Sequence, residues 1–237
     1  MATNDLKLLS TPSSPFALRV KIALNIKGLD YDNIVETMNP KSDLLLQSNP
    51  VYKKIPVLIH GDKPISESAI IVEYIDEVWK NNGTPILPSN AYDCAIARFW
   101  VAYIDDKVFL FLWYNSSRNH LVAQNEESKK ANFDQMEEVL LRLEDVLNKY
   151  SEGKEFFGGD KIGFLDIGFG SYLSWLRVTE KMIGKKVLDE TKTPALVKWA
   201  EAFVAHPAVK GNLPEIDKLL EFAKGLVQRM AAAACPK

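Results

Sequence analysis

The sequence predicts two domains, a small α/β domain followed by an all-helical domain. Residues 6–83 alternate strand-like and helix-like segments, whereas only helical periodicity follows them. Residues 81–90 join the two regions and are rich in Asn, Gly and Pro, which interrupt regular structure. We therefore expect domains at residues 1–83 and 93–237, with a linker at residues 84–92.

A strand and a helix open the first domain. Residues 6–9 form a short apolar run that ends in a cluster of Ser, Thr and Pro. Ser14 and Pro15 have the types preferred at the N-cap and first position of a helix, and Gly28 lies just past its expected end. Helical spacing puts four apolar side chains on one buried face: Phe16, Val20, Ala23 and Leu24.

The rest of the first domain contains a strand, a hairpin and a second clear helix. Ile34 and Val35 are predicted to lie in a second strand, and Gly61 suits the turn of a hairpin over residues 56–65. Residues 66–68 then open a helix with an apolar stripe at Ile71, Tyr74, Ile75 and Val78. The predicted order is β-α-β-(α)-β-β-α.

The second domain shows one long amphipathic pattern and one marked helix start. The pattern holds a 3-4 spacing through Phe133, Met136, Leu140, Leu143, Leu147 and Tyr150. The later helix starts at residues 163–166, where Asp166 stands at the third position and can reach back to the cap. Ile162 and Ile167 have the positions of a hydrophobic staple around that start.

Composition narrows the class of protein. The formal net charge of −2 over 237 residues gives no reason to expect nucleic acid or an anionic membrane as partner. Two cysteines, Cys94 and Cys235, fit a reducing compartment. The longest apolar run, residues 108–114, is far shorter than the roughly 20 residues of a spanning helix, and the N-terminus lacks a signal-peptide core. We expect a cytosolic protein.

Ser14 is the sharpest candidate for chemistry. A helix start presents free N–H groups and a partial positive charge, which favour an anion. A hydrogen bond from the hydroxyl to a thiolate contributes roughly 1.5–3 kcal/mol and the dipole roughly 0.3–1 kcal/mol. Together they lower a thiol pKa by on the order of 1.5–3 units, to neutrality or below. The alternative is that Ser14 is only an N-cap.

Each of the other candidate groups can have either a structural role or a role in binding a ligand. Glu67 and Ser68 at the later helix start either complement its dipole and cap it, or bind an ammonium and a carboxylate. Three lysines are either solvated or supply charge to a carboxylate-rich ligand: Lys41, Lys53 and Lys54. The aromatic run Phe109, Phe111, Trp113 and Tyr114 is either helix core or the wall of a substrate pocket.

A metal site is not expected. The three histidines, His60, His120 and His206, share no ligand spacing, and no Cys pair supplies a metal motif. The sequence also lacks a Gly-rich phosphate loop, a Gly-x-Ser-x-Gly elbow and a Cys-x-x-Cys redox motif.

Several motifs together resemble the plant tau-class glutathione transferases. In the first domain they are SPFxxRVKIAL at residues 14–24, KSxLLLQxNP at 41–50, KKIPVLIH at 53–60 and ESxIIxxYIDExW at 67–79. The resemblance continues through RFWxxY at 98–103 and FGGD at 157–160 to PxxxxW at 194–199. It covers nearly the whole chain.

The resemblance implies a thioredoxin-like N-terminal domain, an all-α C-terminal domain and a homodimer. It implies conjugation of glutathione, as co-substrate and without a bound cofactor, to hydrophobic electrophiles in detoxification or stress response. Ser14 matches the catalytic serine, and Ile55 the residue whose backbone pairs with the cysteinyl unit, ahead of a cis Pro56. The remaining anchors are Lys41 and Lys54 for the glycyl carboxylate, and Glu67 and Ser68 for the γ-glutamyl end.

Four aromatic residues are candidates for the walls of the pocket that binds the hydrophobic substrate. The candidates are Phe16, Phe109, Trp113 and Trp175. Residues 11–13 lack the Trp often found upstream of the family's serine, and residues 110–117 depart from the usual tau pattern. We therefore expect the choice of electrophile, rather than glutathione binding, to differ from that of relatives.

Two competing functions are weighed against conjugation. Glutathione-dependent thiol reductases such as dehydroascorbate reductase place a cysteine where Ser14 stands, so the residue argues against that class. A carrier that binds glutathione and hydrophobic ligands without turnover shares the same binding groups. The glutathione thiolate of a transferase also reduces organic hydroperoxides, which we expect as a side activity.

Overall fold

The computed structural model describes residues 5–37, 39–116 and 126–233. The chain divides into two compact units. The first comprises Met1–Ala97 with Ala205–Leu213, and the second comprises Arg98–Val204 with Pro214–Lys237. The domain limits at residues 83 and 93 stay predictions.

The first unit has the predicted order of elements. These are β1 (Leu6–Ser10), α1 (Pro15–Ile26), β2 (Asp32–Val35), α2 (Asp43–Ser48), β3 (Val57–His60), β4 (Lys63–Ser66) and α3 (Ser68–Val78). The four strands form one sheet in the order β2-β1-β3-β4. β2 is parallel to β1, whereas β3 is antiparallel to both of its neighbours.

Local sequence signals explain where these elements begin and end. Ser14 is the N-cap of α1, and Gly28 follows the helix with a φ of 61° that suits glycine. Gly61, also at positive φ, stands in the two-residue turn between β3 and β4. The Ile55–Pro56 bond is cis, as the resemblance implied.

Burial differs from the predicted stripes in α1 and α3. Phe16 is only half-buried, whereas α1 also buries Leu18 and Arg19. In α3 the predicted Val78 is 45% exposed, and Val72 is buried in its place. A single-face pattern underestimates α1, because several of its sides are covered.

An ion pair lies inside the first unit. The Lys27 ammonium, fully buried, is 2.7 Å from an Asp76 oxygen. The same carboxylate accepts hydrogen bonds from the backbone N–H groups of Ile86 and Leu87 at 3.0 and 2.9 Å. Asp76 therefore joins the end of α1, helix α3 and the segment that follows α3.

The described elements of the second unit are helices. Helix α4 (Ala91–Ser116) starts in the first unit and continues into the second, followed by α5 (Glu126–Tyr150), α6 (Phe164–Gly170), α7 (Leu173–Ile183), α8 (Pro194–Ala205) and α9 (Ile216–Ala233). The predicted stripe of α5 is confirmed at its centre, where Met136, Leu140, Leu143 and Leu147 are buried.

The start of α6 is held by one carboxylate. Asp166 is fully buried and accepts from the backbone N–H of Gly163 at 2.8 Å, the predicted reach back to the cap. Ile162 and Ile167 are buried on either side of the start. Three further donors bond the same carboxylate: Phe157 N, Gly158 N and Trp199 Nε1, at 2.9, 3.0 and 2.7 Å. Burial raises the pKa of Asp166 to about 6, while these hydrogen bonds act in the opposite direction.

Candidate functional site

The sheet topology gathers the predicted glutathione anchors at one edge. The register pairs Ser10 with Val35, Leu9 with Val57, and Val57 with Ser66. The carboxyl ends of β1, β2 and β4 therefore meet the amino end of β3. The segments that leave or enter this edge carry all six predicted anchors: Ser14, Lys41, Lys54, Ile55, Glu67 and Ser68. Anchors spread over more than 50 residues of sequence thus belong to one edge of the sheet.

Ser14 is held in the geometry of an N-cap. Its backbone is extended, with φ −83° and ψ 116°, and its N–H donates to the Thr11 carbonyl at 3.2 Å. The Ser14 Oγ accepts from the N–H of Ala17 at 3.1 Å. A hydroxyl has one proton and two lone pairs, so this bond leaves the proton free for a second partner. Capping the helix and donating to a ligand are therefore compatible.

The neighbouring hydroxyls are placed differently. Ser13 Oγ lies 3.4 Å from Thr11 Oγ1, inside the turn that precedes the helix. The cap position of α1 belongs to Ser14. The assignment of Ser14 rather than Ser13 as the catalytic serine stays a prediction.

The lysine anchors lie on either side of α2: Lys41 comes just before the helix, and Lys54 lies in the loop that leads from it to β3. Lys41 is exposed, and its ammonium donates to the Lys53 carbonyl at 2.8 Å. Lys53 has a positive φ of 54°, an uncommon conformation for a side chain of this size. Lys54 is exposed, and its carbonyl accepts from the amide of Asn49 at 2.9 Å. The loop thus presents the Lys54 side chain outward while its backbone is fixed from within.

Ile55 links this loop to the core. It is half-buried and packs against a cluster of Leu9, Leu45, Val57 and Ile59. The cis bond to Pro56 follows immediately. The side chain points to the core, which leaves the role predicted for Ile55 to its backbone.

The start of α3 has a strained residue next to a buried one. Glu67 is exposed, stands at the N-cap with φ 73° and makes no capping bond through its side chain. A glutamate at positive φ costs free energy, and such outliers cluster at ligand sites. Ser68 is the first helical residue and is buried, so the alternative in which Ser68 caps this helix is wrong.

Two buried residues that are not among the predicted anchors, Arg19 and Asn49, support the site. Arg19 is 1% exposed, and its guanidinium donates to Ser68 Oγ at 3.4 Å from the opposite helix α1. Asn49 is 5% exposed and accepts from the N–H of Tyr52 at 3.1 Å, besides bonding Lys54. An arginine within a mainly apolar helix and an Asn before a Pro are the signals that point to them.

The four predicted substrate walls have different surroundings. Phe16, in the first unit, is half-buried with the Arg19 guanidinium 5.2 Å from its ring centre. In the second unit Phe109 is 37% exposed. Trp175 packs beside Phe222 and a core cluster of α7 and α9. The side chain of Trp113 lies outside the described residues.

Other kinds of site find no support in the part of the chain that is described. Over residues 5–37, 39–116 and 126–233, no three His, Cys, Asp or Glu side chains group closely enough for a metal ion. Over the same ranges, no helix has the length and apolar character needed to cross a bilayer.

Two family models match the chain. Residues 4–77 match the N-terminal domain of glutathione S-transferases, and residues 91–207 match the C-terminal domain of the same family. Glutathione S-transferase U18 of Arabidopsis thaliana is 54% identical over 232 residues, which cover 98% of this chain and 100% of that protein.

Solved structures agree in fold and class. A tau-class glutathione S-transferase from mango, Mangifera indica, superposes with a TM-score of 0.87 at 57% identity, over 95% of this chain and 100% of that one. A rice glutathione transferase, solved in complex with glutathione, superposes with a TM-score of 0.83 at 34% identity, over 97% and 99% of the two chains.

Proposed function

This chain belongs to the tau class of the glutathione S-transferase family, and from that premise we propose that it conjugates glutathione to hydrophobic electrophiles, with Ser14 stabilising the glutathione thiolate. Glutathione is a co-substrate in this scheme, and the family supplies no resident cofactor.

The hydrogen bonding of Ser14 carries the proposal. Its Oγ accepts from the N–H of Ala17, which fixes the hydroxyl at the start of α1 and leaves its proton to donate. A thiolate at that point receives one charge-assisted hydrogen bond and the positive end of the helix dipole. The two contributions, about 2–4 kcal/mol together, are enough to ionise a thiol at neutral pH.

The rest of the tripeptide extends along the edge of the sheet. We assign the glycyl carboxylate to Lys41 and Lys54 and the backbone of the cysteinyl unit to Ile55. The γ-glutamyl end lies at Glu67 and Ser68, where Glu67 binds the ammonium, and Ser68 and the N–H groups of α3 bind the carboxylate. From glycyl to γ-glutamyl, this assignment follows the strand order in the sheet. The glycyl end lies by β2 and β3, the cysteinyl unit by β3 and the γ-glutamyl end by β4.

The reaction needs no group beyond these to begin. The thiol proton leaves to solvent as the thiolate forms, and the sulfur lone pair then attacks the electrophilic carbon. A halide or similar group departs with its bonding electrons, giving the thioether. Binding places both reactants together, and the Ser14 bond persists to the transition state. We propose that Phe16, two residues after Ser14, contacts the electrophile, whereas Phe109, Trp113 and Trp175 stay predictions from the sequence.

A secondary activity follows from the same thiolate. Attack on an organic hydroperoxide releases the alcohol and leaves the sulfur as sulfenic acid. A second glutathione then gives glutathione disulfide and water. Two glutathiones supply both electrons, so no other reductant is needed.

Replacing Ser14 by Ala tests the proposal. The conjugation rate with glutathione and a chloronitrobenzene falls by roughly ten- to a thousandfold, because one bond to the thiolate of about 1.5–3 kcal/mol is lost. Glutathione affinity stays within a few-fold and the pH midpoint of activity rises. Ser13→Ala is the matched control and leaves the rate near wild type. A Ser14→Ala rate near wild type moves the role to Ser13 or to the backbone.

The same assay separates an enzyme from a carrier. A carrier binds glutathione but gives no time-dependent absorbance from the conjugate. The thiol-reductase alternative is disfavoured by the hydroxyl at the helix start, since a reductase needs a sulfur nucleophile there.

We propose a homodimer as the working assembly. The first unit exposes several large apolar side chains, which a second copy would cover: Val51, Tyr52, Ile70, Val78 and Tyr92. Sedimentation of the pure protein tests this, with twice the 26.7 kDa chain mass expected. We also propose a cytoplasmic location, which imaging of a fluorescent fusion tests.

A further inference from the structure

Glu36 is a buried acid that the catalytic scheme does not use. It follows β2 directly and is only 6% exposed. Its backbone N–H donates to the Ser10 carbonyl at 2.8 Å, which extends the pairing of β2 with β1 by one step. Its Oε1 accepts from the hydroxyl of Ser42 at 2.8 Å. An acid with this burial is retained at a cost, so its contacts call for a reason.

The Ser42 bond fixes the beginning of α2. Ser42 is the N-cap of that helix, and its Oγ accepts from the N–H of Leu45 at 3.0 Å. Its hydroxyl proton goes to Glu36, so both functions of the hydroxyl are used. Within the same turn, Thr37 Oγ1 donates to the Pro40 carbonyl at 2.6 Å. Glu36 thus ties the end of β2 to the start of α2.

Lys41 directly precedes Ser42, the N-cap that Glu36 holds. Its ammonium is bonded to the Lys53 carbonyl, so the loop before β3 holds it from the other side. Glu36 connects in turn to Ser10, the last residue of β1, after which the chain turns to Ser14. One residue therefore ties the segment of Lys41 to the strand that leads to Ser14.

We propose that Glu36 is a positioning residue for glutathione binding: through Ser42 it sets the distance between Lys41, which takes the glycyl carboxylate, and Ser14, which takes the sulfur. The proposal rests on the proposed role of Lys41. Glu36 acts on the substrate only through this segment. Its loss therefore weakens recognition of the glycyl carboxylate and leaves the chemistry at sulfur unchanged.

The two oxygens of Glu36 make a sharp variant series possible. Oε2 is buried and has no hydrogen-bond partner among the described residues. In Glu36→Gln the amide oxygen still accepts from Ser42, and the NH₂ group replaces the oxygen that has no partner. Glu36→Ala removes the acceptor entirely. Gln is therefore expected to restore what Ala loses.

The test compares glutathione with its glycyl monoethyl ester, whose carboxylate is blocked. In wild type the ester has the higher KM. Glu36→Ala raises KM for glutathione about fivefold or more, the loss expected for one hydrogen bond or more, with kcat changed less than about twofold. KM for the ester stays within about twofold of its wild-type value. The KM ratio, defined as KM for the ester divided by KM for glutathione, therefore falls. Glu36→Gln keeps the wild-type ratio.

A second pair of variants guards against misfolding of Glu36→Ala. Ser42→Ala removes the same bond from the other end together with a helix cap. Asn90→Ala removes a comparable cap, where Asn90 Oδ1 accepts from Asp93 N at 2.8 Å, far along the chain from Lys41. Only Ser42→Ala lowers the KM ratio, whereas both variants lose similar stability, on the order of 1 kcal/mol.

Three outcomes overturn the inference. The first is a parallel rise of both KM values in Glu36→Ala, which indicates a general loss of structure. The second is no change in the ratio, and the third is failure of Gln to restore it. Lys41→Ala decides which proposal has failed. If it lowers the ratio and Glu36→Ala does not, Glu36 has no positioning role. If it leaves the ratio unchanged, the assignment of Lys41 itself is wrong.

Discussion

Two helices of this protein begin in opposite ways. Helix α1 begins at Ser14, a half-buried neutral hydroxyl that accepts a single bond, from Ala17 N. Helix α6 begins beside Asp166, a fully buried carboxylate that accepts from three backbone N–H groups and the indole of Trp199. At α6 a carboxylate lies at the helix N-terminus, as the attraction of the helix dipole for negative charge favours, whereas at α1 the side chain there is neutral.

The two helix starts differ in the source of the negative charge. At α6 the chain supplies it, and every donor around Asp166 is used inside the protein. At α1 the chain supplies only a neutral group with a proton to give, and in the proposed function glutathione brings the negative charge. The comparison separates a structural lock from a binding site by the charge and burial of one side chain.

We call the start of α6 the closed start, because Asp166 supplies its anion, and the start of α1 at Ser14 the open start. The largest effect is expected at the closed start. Asp166→Ala leaves four buried donors without an acceptor, each costing roughly 1–3 kcal/mol. We expect the free energy of unfolding to fall by at least about 4 kcal/mol, or the protein to stay insoluble, as measured by urea denaturation. Asp160→Ala is the control, because Asp160 is exposed and forms a surface ion pair with Lys154. A loss under about 1 kcal/mol in Asp166→Ala would show that the lock is dispensable.

The two helix starts were also the most predictable parts of the fold. Ser14 before Pro15 and Asp166 at the third helical position are signals read within one turn of chain. The positive φ of Glu67 was not predictable, because nothing in its local sequence demands it. The bond between Arg19 and Ser68 spans 49 residues of sequence and exists only once the sheet has brought α1 and α3 together. Helix caps can be predicted from neighbouring residues, whereas hydrogen bonds between distant residues depend on the topology of the fold.

Exposure of Val78 shows the same limit for the apolar pattern. Spacing along α3 predicts a buried stripe that includes Val78, yet this last residue of the helix is exposed. The anchor residues were named from the family resemblance, and the register of the strands explains why they belong to one edge.

The second largest effect is expected from converting the open start to a sulfur nucleophile. In Ser14→Cys the dipole and N–H groups of α1 lower the pKa of the new thiol. It then forms a mixed disulfide with glutathione instead of donating a hydrogen bond to it. Conjugation falls at least about tenfold, and reduction of hydroxyethyl disulfide appears. If mass spectrometry finds no glutathione adduct and no reductase activity is gained, Ser14 does not lie at the bound sulfur.

The pH dependence of the closed start gives a smaller effect. Burial raises the pKa of Asp166 from its ordinary value of 3.8 to about 6, so the folded state binds its proton more tightly than the unfolded state does. The protonated acid therefore contributes stability below pH 4, which is lost as the pH rises through 6. Unfolding free energy of wild type minus that of Asp166→Asn should fall by up to about 3 kcal/mol from pH 4 to 7. A difference that is flat or rises with pH would contradict this.

The smallest effects are expected at the ends of glutathione, remote from sulfur. Lys54→Ala and Glu67→Ala should raise KM for glutathione several-fold and change kcat less, because these contacts persist from ground state to transition state. Steady-state kinetics with varied glutathione measures both constants. Lys80→Ala, on an exposed residue after α3, serves as control. Equal losses in kcat and kcat/KM would place the residue nearer the reacting sulfur.

The contrast between the two helix starts is tested most directly by the pKa of bound glutathione. Titration of the ultraviolet absorption of the thiolate in the enzyme complex measures it without any electrophile. We predict a pKa at least about 1.5 units below that of free thiol in wild type, and a rise of roughly 1–2 units in Ser14→Ala. Asp160→Ala should match wild type. An unshifted pKa in wild type, or the same lowered pKa in Ser14→Ala, would contradict the claim that the hydroxyl at the open start stabilises an anion brought by the ligand.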